Sequence, residues 1–106
     1  MEEIDKMKKI ISNKIYDTDK CDLLISYFEK VEHKMMIIPS AYIFHEAKIY
    51  KSKKGTYLKY IGRAKETGWS SKDELTIIDK KDLKELLINL NEIEVYEKEF
   101  GSLEEG

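Results

Sequence analysis

The stretch from Tyr42 to Lys65, YIFHEAKIYKSKKGTYLKYIGRAK, limits the fold more than any other part of the chain. Residues 43–51 and 56–62 are rich in Ile and Tyr, side chains that suit a pleated, half-buried surface. Between them lies Ser52-Lys53-Lys54-Gly55. A three-residue loop ending in glycine closes a hairpin well, because Gly takes a positive φ without a Cβ clash. With Lys53-Lys54-Gly55 as that loop, Ser52 faces Thr56, Tyr50 faces Leu58 and Lys48 faces Tyr60. One face then carries Phe44, Tyr50, Leu58 and Tyr60, and the other Ala47, Ile49, Tyr57 and Ile61. Both faces are apolar enough to be covered. The pattern therefore leaves open which face the helices take, and whether the other serves a partner.

Charge on this stretch is one-sided. Residues 46–65 hold Lys48, Lys51, Lys53, Lys54, Lys59, Arg63 and Lys65 against Glu46 alone. Lysines on an exposed hairpin ordinarily keep an edge solvated and block strand addition. The functional reading is a basic, tyrosine-bearing surface for a nucleic-acid backbone or an acidic protein. Residues 91–106 are the acidic counterpart, with six carboxylates against Lys98.

The net charge of −2 over 106 residues argues against a general nucleic-acid binder, and equally against a strongly acidic DNA mimic. This length makes one domain with one modest core. At 42% hydrophobic and 38% charged residues the chain is globular rather than disordered. The single cysteine, Cys21, excludes an internal disulfide framework and fits a reducing cytoplasm. No apolar run approaches the ~18 residues of a membrane span, and the N-terminus lacks the apolar segment of a signal peptide, so a cytoplasmic protein is expected.

Residues 1–6 read as a frayed lead-in. Residues 8–16 read as a short hairpin turning at Ser12-Asn13, or as one irregular strand. Asp17-Thr18-Asp19 offers short acceptors for the unpaired N–H groups of a helix start. Cys21, Leu24, Ile25, Phe28 and Val31 follow at helical spacing, which predicts a helix there. Residues 32–40 contain Met35, Met36, Ile37, Ile38 and the only proline, Pro39, and suit a short strand or apolar loop. Residues 66–73 are a loop around Gly68 and the sole tryptophan, Trp69, which either rests on the core edge or anchors a partner. Residues 75–78 make a short strand. Asp79 caps a second helix with Asp82 three residues on, and Leu83, Leu86, Leu87 and Leu90 mark its buried stripe. Asn91 can end it. Residues 92–100 alternate as a final strand, and 102–106 form an acidic tail. The expected fold class is α+β: a mainly antiparallel sheet with a central long β-hairpin and two helices packed on one face.

No catalytic constellation stands out. His33 and His45 are the only histidines, and His45-Glu46 lacks the second histidine of a helical zinc site. There is no CxxC, no phosphate-cradling glycine loop and no nucleophile elbow. Asp17, Asp19 and Asp22 lack calcium-loop spacing and suit helix capping instead. Cys21 reads as a small core residue with no basic neighbour to make a thiolate. The expectation is a protein that is not an enzyme and needs no metal or cofactor.

Four segments, taken in order, carry a resemblance. Lys14-Ile15-Tyr16-Asp17-Thr18 resembles the K-x-Y-D-T segment of a group of small phage and mobile-element proteins of Gram-positive bacteria. The hairpin around Ser52-Lys53-Lys54-Gly55 resembles their L-Y-x-T-K-K-G-x-Y/W segment. Trp69-Ser70 ahead of Ile77-Ile78-Asp79 resembles their W-S … I-x-P-L entry to a helix. Val95-Tyr96-Glu97-Lys98-Glu99-Phe100-Gly101 is similar to their closing Y-E-x-x-F-G. The chain departs from them in Asp79, where many carry Pro-Leu, and in the apolar stretch 35–38. Some of these proteins are similar to anti-CRISPR proteins that inhibit type II effector nucleases.

The resemblance therefore implies a phage-side inhibitor that binds a CRISPR effector nuclease or its guide RNA, with no membrane involved. It names no functional residues, and a homodimer is compatible with it. The alternative is a small nucleic-acid-binding regulator of a mobile element. On charge and aromatic content the candidate partner-binding residues are Lys51, Lys53, Lys54, Tyr57, Lys59, Arg63 and Trp69 on the basic side. On the acidic side they are Glu94, Glu97 and Glu99, with Glu104 and Glu105 in the tail.

Overall fold

Ser12 and Asn13 both adopt left-handed backbone, with φ of 53° and 65°. Two such residues in a row make the tight turn that matches strand twist. They close β1 (Lys8–Ile11) on β2 (Lys14–Asp17) as a short hairpin, the first of the two readings open for that stretch. This is a computed structural model, and it describes residues 7–33, 41–62 and 73–106. The lead-in at 1–6, the Pro39 segment, Arg63 and the Trp69 loop lie outside the described residues.

A second, four-stranded antiparallel sheet runs in the order β3 (Asp22–His33), β4 (Ala41–Lys51), β5 (Tyr57–Ile61), β6 (Glu74–Ile77). At its centre is the long hairpin of β4 and β5, in the register expected, with Tyr50 opposite Leu58 and Lys48 opposite Tyr60. Its loop is tied at both ends. Ser52 N–H donates to the Thr56 carbonyl at 2.8 Å, and Gly55 N–H donates to the Ser52 carbonyl at 2.9 Å. The Ser52 hydroxyl also accepts from the Thr56 N–H at 3.0 Å. Gly55 has φ of 93°, and a Cβ there would meet nothing within 4 Å. Gly55→Ala is therefore expected to cost about 1–2 kcal/mol from backbone strain alone, read as a lower thermal midpoint. A melt indistinguishable from wild type would contradict this reading of the turn.

Two elements differ from the sequence reading. Asp17 does act as a cap, accepting from the Asp19 N–H at 3.0 Å, but the helix it starts is a single 3₁₀ turn, Thr18–Lys20. The chain then leaves as β3, not as a helix over 21–31. A central strand with two apolar faces needs a hydrogen-bonding neighbour on each edge. β5 supplies one, and β3 supplies the other along eleven paired residues. Ile25, Tyr27 and Phe28 are strand-favouring, and a bulge at Leu24 shifts the register between Leu23 and Ile25. That bulge is why apolar residues at 24 and 25 imitate a helical stripe.

Residues 92–100 are the converse case. They form helix α2 (Ile93–Phe100) instead of a final strand. Tyr96 and Phe100, at i and i+4, meet edge to face with centroids 5.5 Å apart. An alternating pattern over eight residues contains the same i, i+4 pairs, and Glu and Lys make half of this segment helix-prone.

Helix α1 (Lys80–Asn89) follows the expectation closely. Asp79 accepts from the Asp82 N–H at 2.9 Å. At its other end Asn91 has φ of 58°, with Asn91 N–H donating to Ile88 and Glu92 N–H to Leu87. That double bond is the Schellman closure, which satisfies two carbonyls the helix would leave unpaired.

Each face of the sheet carries a packed cluster. On one, Tyr50, Leu58, Tyr60 and Leu75 pack with Tyr16 of the N-terminal hairpin. On the other, Ile25, Ile49 and Tyr57 pack with Leu83 and Leu87 of α1, and with Val95, Tyr96 and Phe100 of α2. The molecule is thus a small α+β domain with both helices on one face of a mainly antiparallel sheet. Among the described residues no helix is long and apolar enough to cross a membrane.

Candidate polyanion-binding cleft

The N-terminal hairpin lies over the sheet face that carries Tyr50 and Leu58, so it approaches the turn joining β4 to β5. Between them opens a cleft of about 590 Å³. Lys8 and Lys14 reach it from the two strands of the hairpin, and Lys20 from the end of the 3₁₀ turn. Lys53 and Lys54 reach it from the β4–β5 turn. All five lysines are exposed. Among the described residues none of the five is held in an ion pair or a side-chain hydrogen bond.

The one carboxylate in the lining is Asp17, and its Oδ1 already accepts from the Asp19 N–H. Five ammonium groups around a concavity against that one carboxylate leave a net positive potential, which raises the local concentration of anions. The rest of the lining includes Ile15, Tyr16, Cys21, Ser52 and Thr56. Cys21 donates its thiol to the Asp17 carbonyl at 3.4 Å. Burial, with Asp17 and Asp22 adding negative charge, pushes that thiol up from its ordinary range. It stays a protonated thiol at neutral pH and is a poor nucleophile.

No family model, curated protein or solved structure matches this chain. Its function therefore has to follow from the arrangement of its own residues.

The structure sorts the candidate residues by where their charge goes. Lys53 and Lys54 stand free at the turn. Lys51 does not, because its Nζ donates to Glu99 Oε1 at 2.9 Å. The Tyr57 hydroxyl donates to the same oxygen at 2.9 Å, and the Glu99 side chain is only 4% exposed. Three residues expected at a partner surface are thus joined in one contact that fastens α2 to the turn end of the hairpin. Phe100 reinforces it, 5.9 Å from the Tyr57 ring.

Burial alone would raise the Glu99 carboxyl. The hydrogen bonds from Lys51 and Tyr57, with the positive charge of Lys51, outweigh burial and hold it below the ordinary carboxylate range. The Tyr57 hydroxyl is pushed up, by burial first and then by Glu99.

Lys59 is likewise paired, 2.8 Å from Glu29 Oε1, and Tyr27 donates to the same carboxylate at 2.9 Å. The fully buried Ala47 of β4 leaves room for Lys59 of β5 to reach Glu29 of β3 across it. Glu97 accepts from the Leu103 N–H at 3.0 Å and ties back the tail. Glu94, Glu104 and Glu105 are exposed. Arg63 and Trp69 lie outside the described residues.

His45 is buried, with Nδ1 2.7 Å from the Gly62 carbonyl. Among the described residues no cluster of three His, Cys, Asp or Glu could hold a metal ion.

Lys8, Lys14 and Lys20 join the site only in the folded chain; charge counting along the sequence does not single them out. The signal that could find them is local. Lys8, Lys14 and Lys20 are three of the four lysines in a 13-residue stretch whose only carboxylates are Asp17 and Asp19.

Proposed function

We propose that this chain is a phage- or mobile-element-encoded inhibitor of a host defence complex, an anti-CRISPR protein acting in the host cytoplasm by binding and not by chemistry. Its target is the nucleic-acid component of a type II effector, the guide RNA, met through the five-lysine cleft. One observation supports this above the others: five lysines from three separate segments, against the single carboxylate of Asp17, converge on one concave surface of a chain whose net charge is −2. Cations so placed against the overall charge mark a local anion site, not a generally sticky protein. The ordered resemblance of the 14–18, 49–57 and 95–101 segments to small phage proteins supports the choice of complex.

The experiment is co-purification with a type II effector nuclease, with and without guide RNA, alongside DNA cleavage. Retention that needs the guide, together with reduced cleavage, is expected. The double variant Lys53→Glu/Lys54→Glu should lose both, while its thermal midpoint stays close to wild type because both side chains are exposed and unpaired. Undiminished inhibition by that variant would remove the cleft from the account. No retention with or without guide would remove the defence complex. Sequence-specific binding to a free duplex would instead favour the regulator of a mobile element.

A further inference from the structure

We infer that the cleft takes the sugar–phosphate backbone of a single nucleic-acid strand, without reading its sequence. This rests on the proposed function, and narrows it to one form of ligand. Three properties of the lining lead there. First, the lysines come to the cleft from two parts of the fold, Lys8, Lys14 and Lys20 from the N-terminal segment and Lys53 and Lys54 from the β4–β5 turn. A ligand in the cleft meets cations from both parts, as a threaded backbone would. A duplex is a stiff, convex rod that would rest on the rim.

Second, the volume of about 590 Å³ is that of a site for a compact ligand or a short segment of chain. Third, the cations lining the cleft are all lysines. An ammonium on a flexible stem neutralises phosphate as a point charge, whereas base-edge recognition wants the planar fork of arginine or an amide. Ile15, 69% exposed in the same lining, offers an apolar surface against which any base can rest. Phosphate neutralisation by flexible cations, beside an apolar surface, holds a strand without reading its sequence.

The test is fluorescence anisotropy with labelled 12-mers: single-stranded RNA, single-stranded DNA of the same sequence, and their duplexes, from 50 to 300 mM salt. Single strands should bind at least tenfold tighter than duplexes at 100 mM salt. Two mixed sequences should agree within about threefold. The slope of log K against log salt should be near −3.5 if all five lysines meet phosphate, at about −0.7 per contact. Lys53→Glu/Lys54→Glu should flatten it by at least about 1.4.

Lys80→Glu/Lys81→Glu changes net charge equally at exposed positions on α1, outside the cleft. It should leave both affinity and slope near wild type. Duplexes bound as tightly as single strands would overturn the inference while leaving a nucleic-acid target intact. Equal losses in both double variants would do the same, by assigning binding to net charge. Binding of DNA but not RNA strands would support the cleft's ligand and overturn the guide RNA as its source. No binding of any oligonucleotide would overturn inference and proposed function together.

Discussion

Leu83→Ala is expected to destabilise the protein by about 3 kcal/mol, and Leu58→Ala by a similar amount. Both side chains are fully buried, so each truncation loses the transfer energy of its methyl groups and leaves a cavity. They sit on opposite faces of one four-stranded sheet. Leu83 lies in the second turn of α1 among Ile25, Ile49, Tyr57 and Leu87. Leu58 lies on β5 among Tyr16, Tyr50, Tyr60 and Leu75. In urea unfolding each variant should shift the midpoint with little change in slope.

Their consequences for binding should differ. Leu58→Ala loosens the seat of Tyr16, which holds the hairpin bearing Lys8 and Lys14, so polyanion affinity should fall with stability. Leu83→Ala loosens the helical face, away from the cleft, so the folded fraction should bind as wild type does. A loss under 1 kcal/mol at either site would mean that its cluster is not close-packed. Equal loss of affinity in both would mean that the two faces are not independent.

That division between faces shows what a single sequence reveals and what it hides. The central hairpin is legible to the residue pair. Its turn chemistry is local: Gly55 needs the positive φ, and the period of two fixes every other partner once the loop is placed. Helix α1 is legible for the same reason. Its cap at Asp79, its leucine stripe and its stop at Asn91 all lie within thirteen residues.

β3 and α2 defeat the same reading because their patterns fit both periods and only distant partners decide between them. β3 is a strand because β4 has an edge to fill. α2 is a helix because Tyr96 and Phe100 then cover Tyr57 while Glu99 reaches Lys51. Counting charge finds the basic hairpin and the acidic end. It does not show that Lys51 and Glu99 pair with each other, or that Lys53 and Lys54 share one cleft with Lys8, Lys14 and Lys20. Those facts depend on which side chains a fold brings together.

The pair of Lys51 and Glu99 gives a pH signature. Glu99→Ala should cost about 2 kcal/mol, because it strands the buried Tyr57 hydroxyl without its acceptor. Glu99→Gln keeps an acceptor but removes the charge. The difference in thermal midpoint between wild type and Glu99→Gln therefore reports the ionic part of the contact.

The Glu99 carboxyl is depressed in the folded protein, so its contribution is present above the ordinary glutamate value of about 4.3 and is lost as pH falls through the lower folded value. Lys51 is raised by its hydrogen bond to Glu99 and then by that residue's charge. Its share is fully present below the ordinary lysine value of about 10.4, and is lost as pH rises through the higher folded value. The gap between wild type and Glu99→Gln should accordingly be widest and level from about pH 5 to 9, and should close at both ends. A gap that does not change between pH 7 and pH 3 would show that the carboxylate is not ionised against Lys51 in the folded protein. The docking of α2 on the hairpin would then rest on Phe100 and its apolar neighbours alone.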